Sequence, residues 1–272
     1  MFRSLLAALT PLLLAPVVMA QTPTPATTPT TKPSPALPKV TYNSAYVGTQ
    51  PVVAITFDDG PNSIQTPRLL EMLAQRNIKA TFYVVGKCVV ENPAIVKRFV
   101  TEGHEIGNHS WSHPKLSSMS QAAVHAEIKK THDAVIAAAG VPPKSFRPPY
   151  GAFTEAQRRW AYEEFGYKTI LWSIDPFDWK KPGAGVIAQR ILTQAHPGAI
   201  ILAHDIHKQT VDAMPETLDG LIAKGYKFVT VSELLAMDQP KPKATPAASP
   251  SAAPATALLG NPAGNLVCCS RH

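Results

Sequence analysis

Cysteine is scarce. Cys88, Cys268 and Cys269 are the only three in 272 residues, too few for a disulfide framework and not spaced as a zinc site. A bridge from Cys88 to the C-terminal pair stays open to the chain in an oxidising compartment. Runs of like charge are missing too. The net charge is +7, from 26 Lys+Arg against 19 Asp+Glu, yet no block of five or six consecutive basic residues occurs. No basic stretch is interleaved with aromatics, so nothing points to nucleic acid. The modest excess suits solubility, or an anionic partner such as acidic lipid or cell-wall polymer. A long hydrophobic run is absent as well. The one candidate, residues 5–18, is interrupted by Pro11 and Pro16 and is too short for a comfortable membrane span. No internal repeat is visible.

That N-terminal run has the form of a secretory signal. Arg3 precedes it and Val18-Met19-Ala20 closes it, so cleavage is predicted after Ala20, with an uncleaved anchor as the alternative. The residue directly after the cleavage point is Gln21 and not cysteine, which argues against a lipoprotein. The chain is therefore expected in the secreted, periplasmic or cell-envelope space. Its 27 prolines crowd both ends. Residues 21–40 read as a Pro/Thr-rich linker and 238–272 as a Pro/Ala-rich disordered tail, because little in either can bury. One folded domain is expected over 41–237.

Within it, apolar runs alternate with helical patterns. Strands are expected at 52–57, 80–85, 104–107, 145–147, 168–173, 199–203 and 227–231. Helices are expected at 66–75, 94–102 after Pro93, 120–139 between Ser120 and Gly140, 154–165, 184–195 and 211–224, with a short one from Ser232. This alternation argues for a parallel α/β sheet, open or closed as a barrel. Right-handed crossovers place every strand C-terminus on one face. Reactive residues should then fall just after strands.

They do. Asp58-Asp59-Gly60-Pro61 ends the first strand. Two carboxylates that close are not both ionised in a dry site unless a cation or an arginine compensates, although a solvated turn reads the same way. His109 and His113 follow the third strand at i, i+4, which would put both imidazoles on one side of a helical turn. Two imidazoles and one carboxylate leave coordination open, as a catalytic zinc site requires. Arg147-Pro148-Pro149-Tyr150-Gly151 is stiffened by its prolines. It offers a fixed guanidinium to orient the free carboxylate and a fixed Tyr150 amide for an oxyanion, or else is a structural loop with a surface arginine. Asp175-Pro176-Phe177-Asp178-Trp179 offers an acid beside an indole, or a capped turn with the Trp in the core. Leu202-Ala203-His204-Asp205 offers a histidine suited to general acid work, or a structural one. His104, His125, His132, His196, His207 and His272 have no such placement.

Taken in order, Thr-Phe-Asp-Asp-Gly-Pro, His-Ser-x-x-His-Pro, Arg-Pro-Pro-Tyr-Gly, Asp-Trp and Leu-x-His-Asp resemble the motifs of the polysaccharide deacetylases of carbohydrate esterase family 4, the NodB homology domain. The resemblance covers about residues 50–236. It implies a distorted (β/α)7 barrel and a metal-dependent hydrolase of linear amides, acting on carbon–nitrogen bonds other than peptide bonds. By resemblance, Asp59, His109 and His113 hold a divalent metal, usually zinc and sometimes cobalt or nickel. Asp58 is the base, Arg147 its orienting partner, Tyr150 the source of the oxyanion amide, His204 the acid and Asp178 the carboxylate that tunes it. Asp175 is a rival to Asp178. Trp179 and Leu202 wall the acetyl pocket. The expected partner is an acetylated polysaccharide, peptidoglycan first, acted on by a monomer. Chitin oligomers, acetylxylan, an exopolysaccharide, a non-sugar amide and a non-catalytic carbohydrate-binding role remain the alternatives.

Overall fold

A computed structural model describes residues 39–240. The expected signal sequence, most of both Pro-rich flanks, Cys268, Cys269 and His272 lie outside the described residues. Within them the chain forms β1 (Thr41–Tyr42), β2 (Val52–Asp58), α1 (Gln65–Gln75), β3 (Thr81–Val84), α2 (Gly86–Glu91) and α3 (Pro93–Thr101). There follow β4 (Glu105–Asn108), α4 (Gln121–Ala139), α5 (Glu155–Phe165) and β5 (Thr169–Ile170). The series ends with α6 (Ala184–Gln194), β6 (Ala199–His204), α7 (Lys208–Ala223), β7 (Lys227–Phe228) and α8 (Val231–Ala236).

β2 is the centre. All seven of its residues are buried, as expected of a parallel strand covered on both faces. Its side chains alternate. Val53, Ile55 and Phe57 pack in the large cluster that also holds Leu69, Leu70 and Leu73 of α1 and Val211 and Leu218 of α7. Ala54 joins a separate cluster with Tyr83, Ile170, Ile200, Val231 and Leu234. Thr56 and Asp58 share the Ala54 face, so the strand delivers its last carboxylate to the barrel interior. Each fully buried Ile, Leu or Phe contributes roughly 1.5–3 kcal/mol.

Every strand pairing is parallel. β6 runs along one edge of β2 from Val53↔Ala199 to Asp58↔His204. The other edge is divided: β7 meets Val52 and Val53, whereas β3 meets Thr56 to Asp58. β3 pairs β4, and single-residue bridges at Phe146 and Ile174 carry the ring through β5 back to β6. The result is a closed, irregular barrel with helices outside, as expected. The fourth expected strand, 145–147, is reduced to the Phe146 bridge, because the two prolines after Arg147 have no N–H to continue a ladder.

Local signals set several boundaries as read. Pro93 opens α3. The Ser120 hydroxyl accepts from Ala123 N–H at 3.4 Å, and Gly140 ends α4 with φ 76°. α2 and β1 were not anticipated. Contacts also continue past 237, where the Asp238 carboxylate accepts from Tyr46 N–H at 2.7 Å and from Lys39 Nζ at 3.1 Å.

Candidate active site and metal centre

The end of β2 sets two neighbouring carboxylates to different uses. Asp58 is still in the strand, buried, and its Oδ1 accepts from Arg147 Nη1 at 2.6 Å. Asp59 has left the strand with φ 75°, a left-handed conformation that a short polar residue tolerates. That twist turns its carboxylate toward His109 and His113, whose Nε2 atoms lie 3.5 and 3.3 Å from Asp59 Oδ1. Asp58 Oδ2 is 3.7 Å from His109 Nε2.

Arg147 is fully buried, so the surface-arginine alternative is wrong. Its guanidinium donates to Thr56 Oγ1, Asp58 Oδ1, Ile170 O and Leu171 O. It also stacks 4.1 Å from the centre of the Tyr83 ring. A buried cation is tolerated when it is paired and its donors are satisfied. Here Asp58 is the pair, which fixes that carboxylate's orientation.

The two histidines do not lie on a helical turn. β4 ends at Asn108, and Ser110 and His113 take φ 68° and 60°, so the i, i+4 expectation is right about convergence and wrong about its cause. The bend is held by groups that the motif did not reveal. Asn108 Oδ1 accepts from Ser110 N–H at 2.9 Å while its Nδ2 donates to Ile128 O. The Glu127 carboxylate on α4 accepts from Trp111 N–H, Ser112 N–H and Ser112 Oγ at 2.9, 2.8 and 2.8 Å. Such a residue, over a dozen positions downstream, carries no local sequence signal.

The donor set fits a divalent cation on three grounds. One ligand atom from each of Asp59, His109 and His113 lies within 4.8 Å of the others. Asp59 Oδ1 is buried with no hydrogen-bond partner, an orphan that a cation would satisfy. His109 Nδ1 is 2.6 Å from Arg147 O, and a carbonyl only accepts, so Nδ1 carries the proton and Nε2 is free to ligate. Burial raises the Asp59 carboxyl's pKa, but the adjacent His109 imidazole and then the charges of His204 and His113 outweigh it and hold the group well below the usual carboxylate range.

Across the cleft, β6 carries His204 beside Asp58. His204 Nδ1 donates to Asp178 Oδ1 at 2.8 Å, and its backbone N–H to Asp178 Oδ2 at 2.8 Å. Thr210 Oγ1 donates to the same carboxylate at 2.7 Å. Burial disfavours the imidazolium, yet the Asp178 contact and then the Asp58 and Asp59 charges raise His204 from 6.5 to about 9. Asp175 makes a different contact, its Oδ1 accepting from Phe177 N–H at 2.7 Å. Asp205 was not singled out. It is fully buried, its Oδ2 accepts from Thr66 Oγ1, and burial lifts its carboxyl to about 7. A Cβ on Gly60 would overlap this carboxylate, which explains why glycine follows Asp59.

Asp58, Asp59, His109, His113 and His204 line one cleft of about 430 Å³, with Pro148, Tyr150, Trp172, Asp175, Trp179 and Leu202 completing its walls. Tyr150 sits in a tight turn with φ 59°. Trp179 is 48 % exposed, so it is not a core residue. Of the other histidines, His104 caps Ala80 N–H at 3.2 Å, His125 meets Glu164 and His132 meets Tyr167. None of these enters the cleft.

Among α/β barrels, an open three-ligand set with an unligated carboxylate at the strand C-termini belongs to hydrolases that activate water. The family model described as polysaccharide deacetylase matches residues 46–170. A peptidoglycan-N-acetylglucosamine deacetylase of Bacillus cereus is 42% identical over 192 residues, covering 68% of this chain and 88% of its own length. The peptidoglycan-N-acetylglucosamine deacetylase PgdA of Listeria monocytogenes is 46% identical over 182 residues, 67% of this chain and 38% of its own. The chain thus spans well under half the length of that relative. The crystal structure of the Bc1960 peptidoglycan N-acetylglucosamine deacetylase superposes with a TM-score of 0.69 at 36% identity, covering 74% of this chain and 96% of that one. The chain belongs to the polysaccharide deacetylase family.

Proposed function

We propose that this protein removes N-acetyl groups from N-acetylglucosamine units of a cell-envelope polysaccharide, peptidoglycan first among them. One observation carries the reading: Asp59, His109 and His113 converge on a common point beside a second carboxylate, Asp58, that Arg147 keeps separately oriented. The similarity to two peptidoglycan deacetylases supports the substrate class. An expected secretory signal supports export to the envelope. Among the described residues no helix is long and apolar enough to cross a membrane.

Asp59, His109 and His113 would hold the cation, with zinc the first choice by ligand type and cobalt or nickel the alternatives. When bound, the cation supplies Lewis-acid polarisation of the acetamide carbonyl and lowers the pKa of water. Asp58 accepts the proton from the attacking water. The Tyr150 amide donates to the developing oxyanion, which favours the transition state over the planar amide. His204, held protonated by Asp178, delivers a proton from Nε2 to the departing amine, since Nδ1 is occupied by Asp178. Leu202 and Trp179 enclose the acetyl methyl and exclude water. Acetate and a free glucosamine amine result.

The test is acetate release by metal-loaded protein from peptidoglycan, chitin oligomers and acetylxylan. Release from peptidoglycan at the highest kcat/KM is expected. Release from acetylxylan alone would overturn the substrate, and release from none would overturn the activity.

A further inference from the structure

The cleft rim next to Trp179 is shaped under a constraint that the reacting groups do not require. Asp178 is locked inward by His204 and Thr210. On the other side of the segment, Arg190 Nη1 donates to Pro176 O at 2.8 Å. Near these anchors, Phe177 and Lys181 both take left-handed backbone, φ 54° and 53°, which large side chains adopt only where the surroundings impose it. In consequence Phe177 and Trp179 project into solvent, 41 % and 48 % exposed, edge to face at 6.3 Å between ring centres. The Lys180 ammonium lies against both rings, 5.0 Å from the Phe177 centre and 4.9 Å from that of Trp179.

Two aromatic faces attract an ammonium and restrict its rotamers. Among the described residues, neither Lys180 nor Lys181 forms an ion pair with a carboxylate. Asp175, the acid facing the same cleft, already accepts from Phe177 N–H. A pre-positioned cation therefore stands at the mouth of the cleft with no direct ion pair among the described residues.

We propose that Phe177, Trp179 and Lys180 form a subsite for the sugar next to the one being deacetylated, and that Lys180 selects strands in which that sugar bears a carboxylate. The inference rests on the function proposed above and narrows its substrate. A pyranose presents an apolar C–H face to the aromatic rings, while its carboxylate meets the ammonium. Neutral chitin or xylan strands have no group for Lys180. The carboxylate has two sources in a peptidoglycan strand: the lactyl ether on the muramic sugar, or the peptide stem attached to it.

Binding separates this inference from the chemistry. The Asp58→Asn protein, which leaves strands intact, is titrated calorimetrically with three tetrasaccharides. These are a neutral chito-oligomer, an alternating glucosamine–muramic strand with free lactyl carboxylates, and the same strand bearing stem peptides. With the native rim, at least one acidic strand binds about three- to fivefold tighter than the neutral one, the scale of one partly exposed ion pair. Preference for the bare acidic strand assigns the lactyl carboxylate, and preference for the peptide-bearing strand alone assigns the stem. Adding Lys180→Gln brings the ratio to about one, and adding Phe177→Ala lowers it less far. Equal affinities with the native rim, or a ratio that survives Lys180→Gln, overturn the proposal. A parallel acetate assay on the native protein reports separately whether the activity itself is right.

Discussion

Asp58 and Asp59 are adjacent, yet they face different partners, because one is the last residue of a strand and the other the first to turn left-handed. Asp58→Asn keeps the shape and the Arg147 contact but removes the basic oxygen. Turnover is expected to fall by roughly 10²–10⁴-fold, the usual worth of a general base, with metal affinity little changed. Measuring kcat beside a metal titration checks both halves. A large loss of affinity would instead make Asp58 a ligand. His204 gives a pH prediction of definite sign. Its folded pKa is raised from 6.5 to about 9, so the acid form persists at neutral pH and activity declines as pH climbs through about 9. By the same linkage, its stabilising contribution is complete below 6.5 and is lost as pH rises through about 9. Asp178→Asn removes the neighbouring charge and should move the alkaline limb of the kcat profile down by about one unit or more. A limb that stays in place would show that another group titrates there.

At the scale of elements, the strand ends decide what reaches the cleft. The β2–β6 register alone brings Asp58 and His204 side by side. Those strands were legible because Val52-Val53-Ala54-Ile55 and Ala199-Ile200-Ile201-Leu202 are unbroken apolar runs, and their reactive residues follow directly. The 109–113 bend was misread because i, i+4 spacing reports a separation and not a backbone path; φ values above zero at Ser110 and His113 leave no trace in residue spacing. Glu127 was invisible for another reason: its partners are amides of a distant loop, and α4 shows there only as a polar helical position. Its carboxylate should act as a positioning group for the histidines. Glu127→Ala is expected to weaken metal binding by about 10–100-fold, with Glu127→Gln recovering part of it through its amide oxygen. Unaltered affinity in the alanine variant would reduce Glu127 to a helix-surface residue. Gly60, in the turn after β2, packs against Asp205 just past β6, and Gly60→Ala should cost about 1–3 kcal/mol in urea unfolding, the range of an overpacked core.

For the whole molecule, the three proposed ligands come from two separate segments of the barrel, β2's exit and β4's exit, that strand β3 keeps apart. A cation bound there joins them in the folded state, whereas the unfolded chain has no such point of convergence. Binding free energy then becomes folding free energy. At a free metal concentration a hundred times Kd, the gain is about 2.7 kcal/mol. For a folded unit of this size that corresponds to a rise of about 5–10 °C in Tm. Scanning calorimetry of chelator-treated and zinc-loaded protein reads it directly. Asp59→Ala and His113→Ala should each abolish most of the rise while leaving the chelated protein's Tm close to that of the parent, because neither side chain is part of an apolar cluster. If the zinc-dependent rise persists undiminished in both variants, the cation binds somewhere else, and the convergence of these loops has some other cause.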